Sequence, residues 1–250
     1  MTEPIHRIGD LAKLESFDPV AFEANGIVSQ DICNFFLTLA LIFNDLKDIL
    51  HASTVIQSVK PTGDFKITRH YGAYAGIYHH FLRLLVSLVH EVVAFVKDNE
   101  KIIKTPFFQS VLMQLSKEDR ASWQAMLKAA EGKQADTPLG RFVLIVRNKI
   151  AFHYDPKDIH SGYQEFFSSK CKGSEHAFIS RGKNIAETRF FFADAAVTGC
   201  LTKNVQGHAG DELIADAISI LCDLNHALMD LVNNFILKRG HAYLEAKEEE

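Results

Sequence analysis

The chain is poor in almost everything that advertises a familiar chemistry. Its cysteines are Cys33, Cys171, Cys200 and Cys222, and none sits in a CxxC pair, which argues against a zinc ribbon, a dithiol redox centre or a disulfide scaffold. Two lie in apolar helical patterns, so the set reads as reduced core residues of a cytoplasmic protein. Basic excess is lacking too. The formal net charge is −4, against a generic nucleic-acid coat protein. Nothing resembles a P-loop, a dinucleotide fingerprint or a nucleophile elbow. Internal repeats and low-complexity tracts are missing. The apolar runs are interrupted by Asn, Asp, His and Arg, so no transmembrane helix and no membrane partner are expected. The N-terminal MTEPIHRIGDLAK has no charged segment followed by an apolar run, so no signal peptide is expected.

What remains is material for one large core. With 250 residues, 47% hydrophobic and 23% charged, the chain can bury a substantial interior as a single domain over 1–250. Charge is unevenly spread. Residues 141–203 hold ten Lys and Arg against six Asp and Glu, a balance of +4, whereas 204–250 hold three against nine, or −6.

The pattern predicts helices almost throughout. Residues 1–28 read as an irregular lead-in with one short helix. Ser29 is a suitable N-cap for a long helix to about Val59, with Ile32, Phe36, Leu39, Phe43, Leu46 and Leu50 along one face. Pro61-Thr62-Gly63 stops it. A second long helix is expected from about Asp64 to Asp98, with Ile67, Tyr71, Tyr74, Ile77, Phe81, Leu84/Leu85, Leu88, Val92 and Phe95 as its stripe. The short break predicts an antiparallel pair. Thr105-Pro106 opens a helix to about Leu115, and Ser116, with Glu118 and Asp119 in the first turn, opens another to about Ala130. Beyond Pro156, a loop and β-hairpin insertion is expected at about 157–205. A short helix over Asp158–Ser168 begins it, and strands at Ala177–Ser180 and Thr188–Ala193 form the hairpin. A last long helix is expected from Asp211 to about Arg239, ended by Gly240, with an acidic, frayed tail after it.

The most informative stretch is TPLGRFVLIVRNKIAFHYDP, Thr137 to Pro156. Thr137-Pro138 supplies an N-cap and a first-turn proline, and Asp155-Pro156 closes the helix. Phe142 to Val146, Ile150, Ala151 and Phe152 make most of its circumference apolar, yet it also carries Arg147, Asn148 and His153. Such groups are rarely buried without partners. Arg147-Asn148, four further residues and His153 resemble the signature of the HEPN superfamily, an Arg, often a polar residue, and a His after four to six intervening positions. The resemblance is specific only over 141–155. It implies an all-α, HEPN-like helical bundle, here with two long antiparallel helices and the small β-hairpin insertion. It also implies a homodimer and metal-independent endoribonuclease activity, as in toxin, defence and RNA-processing systems. RNA would be the partner, together with an unknown protein antitoxin in the toxin case, and no cofactor is needed.

The residues suit that chemistry. Cleaving RNA without a metal requires a base near neutrality to activate the 2′-OH, and His153 fits. It also requires a fixed cation for the developing phosphorane, and the Arg147 fork fits. Asn148 could orient His153 or bind phosphate, Tyr154 could stack on a base, and Lys149 lies in line with His153. Positions six apart on a helix differ in direction by about 120°, so Arg147 and His153 share a site only if the helix loosens near Asp155 or a partner protomer supplies one of them. The structural alternative pairs Arg147 with Asp45 or Asp48 and lets His153 cap the helix C-terminus. That reading leaves a catalytically inactive interaction or RNA/nucleotide-binding module.

Two further groups draw attention. His79, His80, Arg83 and His90 form a polar set on the second helix. His90-Glu91 lacks the second His of HExxH, so they read as partly buried polar positions or as the lining of a cleft. Phe190-Phe191-Phe192 could stack on RNA bases, with core or dimer packing as the ordinary use of such a run; Arg181, Lys183 and Arg189 flank it.

Overall fold

The structure is a computed structural model that describes residues 15–62, 68–131, 156–167, 177–204 and 210–245. Over these residues the chain is predominantly helical. Eight helices are described: α1 (Gln30–Ser58), α2 (Arg69–Asp98), α3 (Glu100–Ile103), α4 (Pro106–Leu112), α5 (Lys117–Ala130), α6 (Pro156–Phe167), α7 (Phe191–Asn204) and α8 (Gly210–Lys238). Strands β1 (Glu15–Ser16) and β2 (Leu244–Glu245) pair antiparallel and bring the two ends of the described chain together.

Side-chain caps set four of the eight helix starts. Ser29 accepts from the Ile32 N–H, Thr68 from Tyr71, Thr105 from Phe108 and Ser116 from Asp119, each satisfying one of the four amide donors that a helix N-terminus leaves unpaired. Gly240 ends α8 at φ +83°, a left-handed conformation that costs glycine least. Its N–H bonds to the Leu237 carbonyl, and that of His241 reaches Ile236, the paired pattern of a Schellman stop.

The core lies between α1, the C-terminal half of α2, α4, α5 and α8. Phe36 and Phe235 stack at 4.2 Å, Phe108 sits 5.7 Å from Trp123, and all four are fully buried. Phe35 near the start of α1 stacks at 5.1 Å on Phe95 near the end of α2, so the two long helices run antiparallel, as their short connection requires. Cys33 is fully buried on α1, and burial raises its thiol pKa. It belongs to the core.

Along α2 the face differs from the expected one. Leu82, Leu85, Val86, Val89, Val92, Val93 and Val96 are buried, whereas Ile77 and Leu84 are exposed. From Phe81 onward Arg83, Ser87, His90, Glu91, Lys97 and Asp98 share one side of α2 and the buried residues lie largely opposite them; the expected stripe is rotated away from this inner face. By length and composition α2 is also apolar enough to cross a membrane, and 39% of its most apolar window is buried inside the fold.

The expected hairpin at 177–193 is reduced to one bridge. Ser180 and Arg189 exchange both backbone hydrogen bonds at 2.9 Å, but the second run turns helical at Phe191 and continues as α7. Ala193, Ala195 and Ala196 are strong helix formers, and Asp194 in the first turn suits the helix dipole. α6 and α7 pack backbone to backbone. A Cβ added at Gly199 would lie 2.0 Å from the Gly162 carbonyl oxygen, and one at Gly162 would lie 2.1 Å from that of Ala196.

Residues 17–23 are clipped to the end of α8. Asp18 caps the short 3-10 turn Pro19–Phe22. Arg239 donates from Nε to the Ala21 carbonyl at 2.9 Å, and its Nη2 reaches the carbonyls of Val20 and Glu23. Beyond Gly240 the chain does not fray at once: the Tyr243 hydroxyl, 2.7 Å from Asn233 Oδ1, leads into β2.

Candidate functional site

Arg147 and His153, with Asn148, Lys149 and Tyr154, lie outside the described residues, as does the expected helix up to Asp155. The described chain resumes at Pro156, which opens α6. Proline suits a first helical position, where its missing N–H is no loss. Asp45 and Asp48, the acids considered for Arg147, are exposed on α1, and Asp48 lies 3.6 Å from Lys47.

The other polar set is described, and one member, His79, meets α7 where that helix crosses the N-terminal half of α2. Gly72 and Gly76, one turn apart on α2, allow that crossing. A Cβ at Gly72 would fall 2.8 Å from the Phe191 ring, and one at Gly76 would fall 1.9 Å from Arg189 Nη2 and 2.4 Å from Asp194 Oδ2. A side chain at either position would have to displace the Phe191 ring or the ends of Arg189 and Asp194.

In the space over Gly76, Arg189 Nε pairs with Asp194 Oδ2 at 2.8 Å, with the two side chains 32% and 23% exposed. A partly desolvated pair of this kind is stronger than a surface one. It ties the bridge at Ser180–Arg189 to the first turn of α7. One turn further along α2, His79 Nδ1 lies 3.4 Å from Thr198 Oγ1, whose hydroxyl also reaches the Asp194 carbonyl at 3.2 Å. His80 Nδ1 is 3.4 Å from Arg83 Nη2. The histidines of α2 thus divide, His79 joining α7 while His80 and Arg83 associate along their own helix. These contacts orient elements; the described ones make no nucleophile–base pair.

The sequence marks Arg189 only as a flanking cation and does not single out Asp194 and Thr198, which lie beyond the expected strand in a stretch where no element is expected. The signal that could have found them was Gly72-x-x-x-Gly76, since glycines one turn apart inside a helix mark a close approach.

A second acidic pair links α5 and α8. Burial raises the Asp230 carboxyl pKa, Asp119 raises it further, and His226 acts in the opposite direction. Asp119 is meanwhile held by Ser116, whose hydroxyl donates to Oδ2 at 2.5 Å and accepts the Asp119 N–H at 3.0 Å. Among the described residues no group of three His, Cys, Asp or Glu side chains is placed to hold a metal ion.

Comparison of the chain with protein-family models, with curated proteins and with solved structures returns no match.

Proposed function

We propose that the protein is a metal-independent endoribonuclease of the toxin, defence or RNA-processing kind, resembling HEPN proteins. His153 is the general base on the ribose 2′-OH, and Arg147 binds the phosphate and the charge that develops on it. The observation that carries this is the spacing Arg147-Asn148-x4-His153 in an apolar stretch whose sequence predicts a helix, in a chain that is predominantly helical. A histidine titrates near neutrality and an arginine fork stays charged, so together they supply what in-line 2′-OH attack requires. Asn148, Lys149 and Tyr154 support the site, the first by orienting His153 and the last by stacking on a base.

The roughly 120° between positions six apart on a helix favours a site completed across a homodimer. The same separation favours one alternative, a catalytically inactive helical module that dimerises through this helix and binds RNA or nucleotide.

RNA cleavage in EDTA tests both. Wild type cleaves single-stranded RNA and leaves the methylated 2′-O backbone intact, whereas His153→Ala and Arg147→Ala do not cleave. Equal cleavage by wild type and His153→Ala, or none by wild type on any RNA tried, sinks the enzyme and leaves the module.

A further inference from the structure

The run Phe190-Phe191-Phe192 is divided by the fold. Phe191 packs its ring against Gly72 of α2, whereas Phe190 and Phe192 are 54% and 37% exposed, with ring centroids 5.7 Å apart. Strand alternation explains the first part of this division. Ser180 and Arg189 are directly paired, and Arg189 turns inward over Gly76, so their neighbours Ile179, Arg181 and Phe190 face the other way. Ile179 is 50% exposed and Arg181 is exposed. Phe178, 37% exposed, is tied to the same patch through its carbonyl, which accepts from the Phe192 N–H at 3.2 Å.

Two cations, Arg181 and Lys183, and one acid are exposed beside this face. Glu187, the acid between them and Phe190, turns its carboxylate to the loop itself, accepting from the Lys183 N–H at 2.9 Å and the Asn184 amide at 2.6 Å. Asp194 is occupied by Arg189. Exposed aromatic rings beside two exposed cations meet the two demands of a single nucleic-acid strand, base stacking and phosphate neutralisation. A two-fold contact with its axis at Arg181 and Lys183 would instead set them against their own equivalents, and like charges across such an interface disfavour it.

We propose that the outward face of segment 177–192 is a stacking platform for single-stranded RNA, with Phe190 and Phe192 under the bases and Arg181 and Lys183 on the phosphates. The choice of RNA rests on the endoribonuclease reading; the stacking surface does not.

Fluorescence anisotropy with a short mixed-sequence 2′-O-methyl oligoribonucleotide tests it on the full chain. That probe has no free 2′-OH, so binding is measured apart from cleavage. Phe190→Ala/Phe192→Ala weakens binding by about tenfold or more, from roughly a tenfold loss per base unstacked, while Phe190→Tyr retains it. Arg181→Glu, on an exposed position that does not threaten folding, weakens binding and lowers the salt dependence by about one phosphate contact. The same sequence as a duplex binds more weakly, since paired bases cannot stack on a side chain. Equal affinity of wild type and the double variant overturns the platform, as does failure of wild type to bind the strand or equal binding of duplex and strand. A double variant that changes oligomeric state in light scattering and keeps its RNA affinity also overturns it, and makes the patch a contact between copies. Cleavage of ordinary RNA is scored separately: loss of cleavage with binding intact refutes the endoribonuclease alone, and the reverse refutes the platform alone.

Discussion

Replacing Gly199 by alanine separates two opposite expectations. On an open helix face this change stabilises, because glycine is about 1 kcal/mol worse than alanine in a helix interior. At Gly199 the new methyl would lie 2.0 Å from the Gly162 carbonyl oxygen, and Cβ contacts shorter than 3.0 Å are essentially not found. The α6 and α7 backbones must therefore part by about 1 Å at that point. Both groups are backbone, so no side chain can swing aside, and dispersion along the whole contact falls steeply with such a gap. Overpacking of this kind costs about 1–3 kcal/mol or more. The clash outweighs the propensity gain, and the expected result is a net loss of about 1–2 kcal/mol. Urea unfolding followed by circular dichroism reads it as a lower midpoint at unchanged slope. Gly162→Ala meets the Ala196 carbonyl at 2.1 Å and should behave alike. The double variant should cost less than the sum, because the first methyl already opens the gap the second needs. A rise in midpoint for Gly199→Ala, or strict additivity, would refute the backbone contact between α6 and α7.

Other expectations follow from single contacts. Arg239→Ala removes the donors held by the carbonyls of Val20, Ala21 and Glu23, with an expected loss of about 2 kcal/mol after solvent screening; a change below the error of chemical denaturation would show that the clip contributes nothing. Asp230 has a raised native carboxyl pKa, so the stability it allows is complete below its unfolded value and is lost as pH rises through its native one. Asp230→Asn should therefore unfold at higher denaturant than wild type near neutrality, with the difference shrinking as pH falls into the ordinary carboxylate range; a gap that does not change with pH contradicts the assignment. If the nuclease site is shared across a dimer, mixing Arg147→Ala with His153→Ala protomers restores about a quarter of wild-type cleavage: half of randomly paired dimers are mixed, and each has one intact site of two. No recovery on mixing places both residues within one protomer.

The two glycine pairs show where local reading stops. Gly162 and Gly199 lie far apart in sequence, and nothing near either one predicts that the other will meet it. Gly72 and Gly76 carry a local hint of close approach, yet what approaches, Phe191 and the Arg189–Asp194 pair, comes from a segment whose aromatic residues suggested strand. Phe190 and Phe192 would have suited that strand, but the alanines after them and the groove over Gly72 favour a helix beginning at Phe191. Of the residues proposed for the nuclease, the spacing of Arg147 and His153 and the chemistry it permits were legible in the sequence. Whether they meet depends on contacts between helices or protomers, which spacing along one helix does not contain.

The sequence by itself determined the helical class and most helix limits. Caps such as Ser29, Thr105 and Ser116, the first-turn Pro106 and the left-handed Gly240 act within three or four residues of themselves, so their effect can be read without knowing the fold. Tertiary structure alone decided how far round α2 the core extends. Arg83, Ser87, His90 and Glu91 mark its outer side in the sequence, while Leu85, Val89 and Val96 are inside and Leu84 outside, where α1 and α5 pack against it. It also decided that Arg189 turns inward and Phe190 outward, since a side chain's direction is set by the partner that its backbone pairs with.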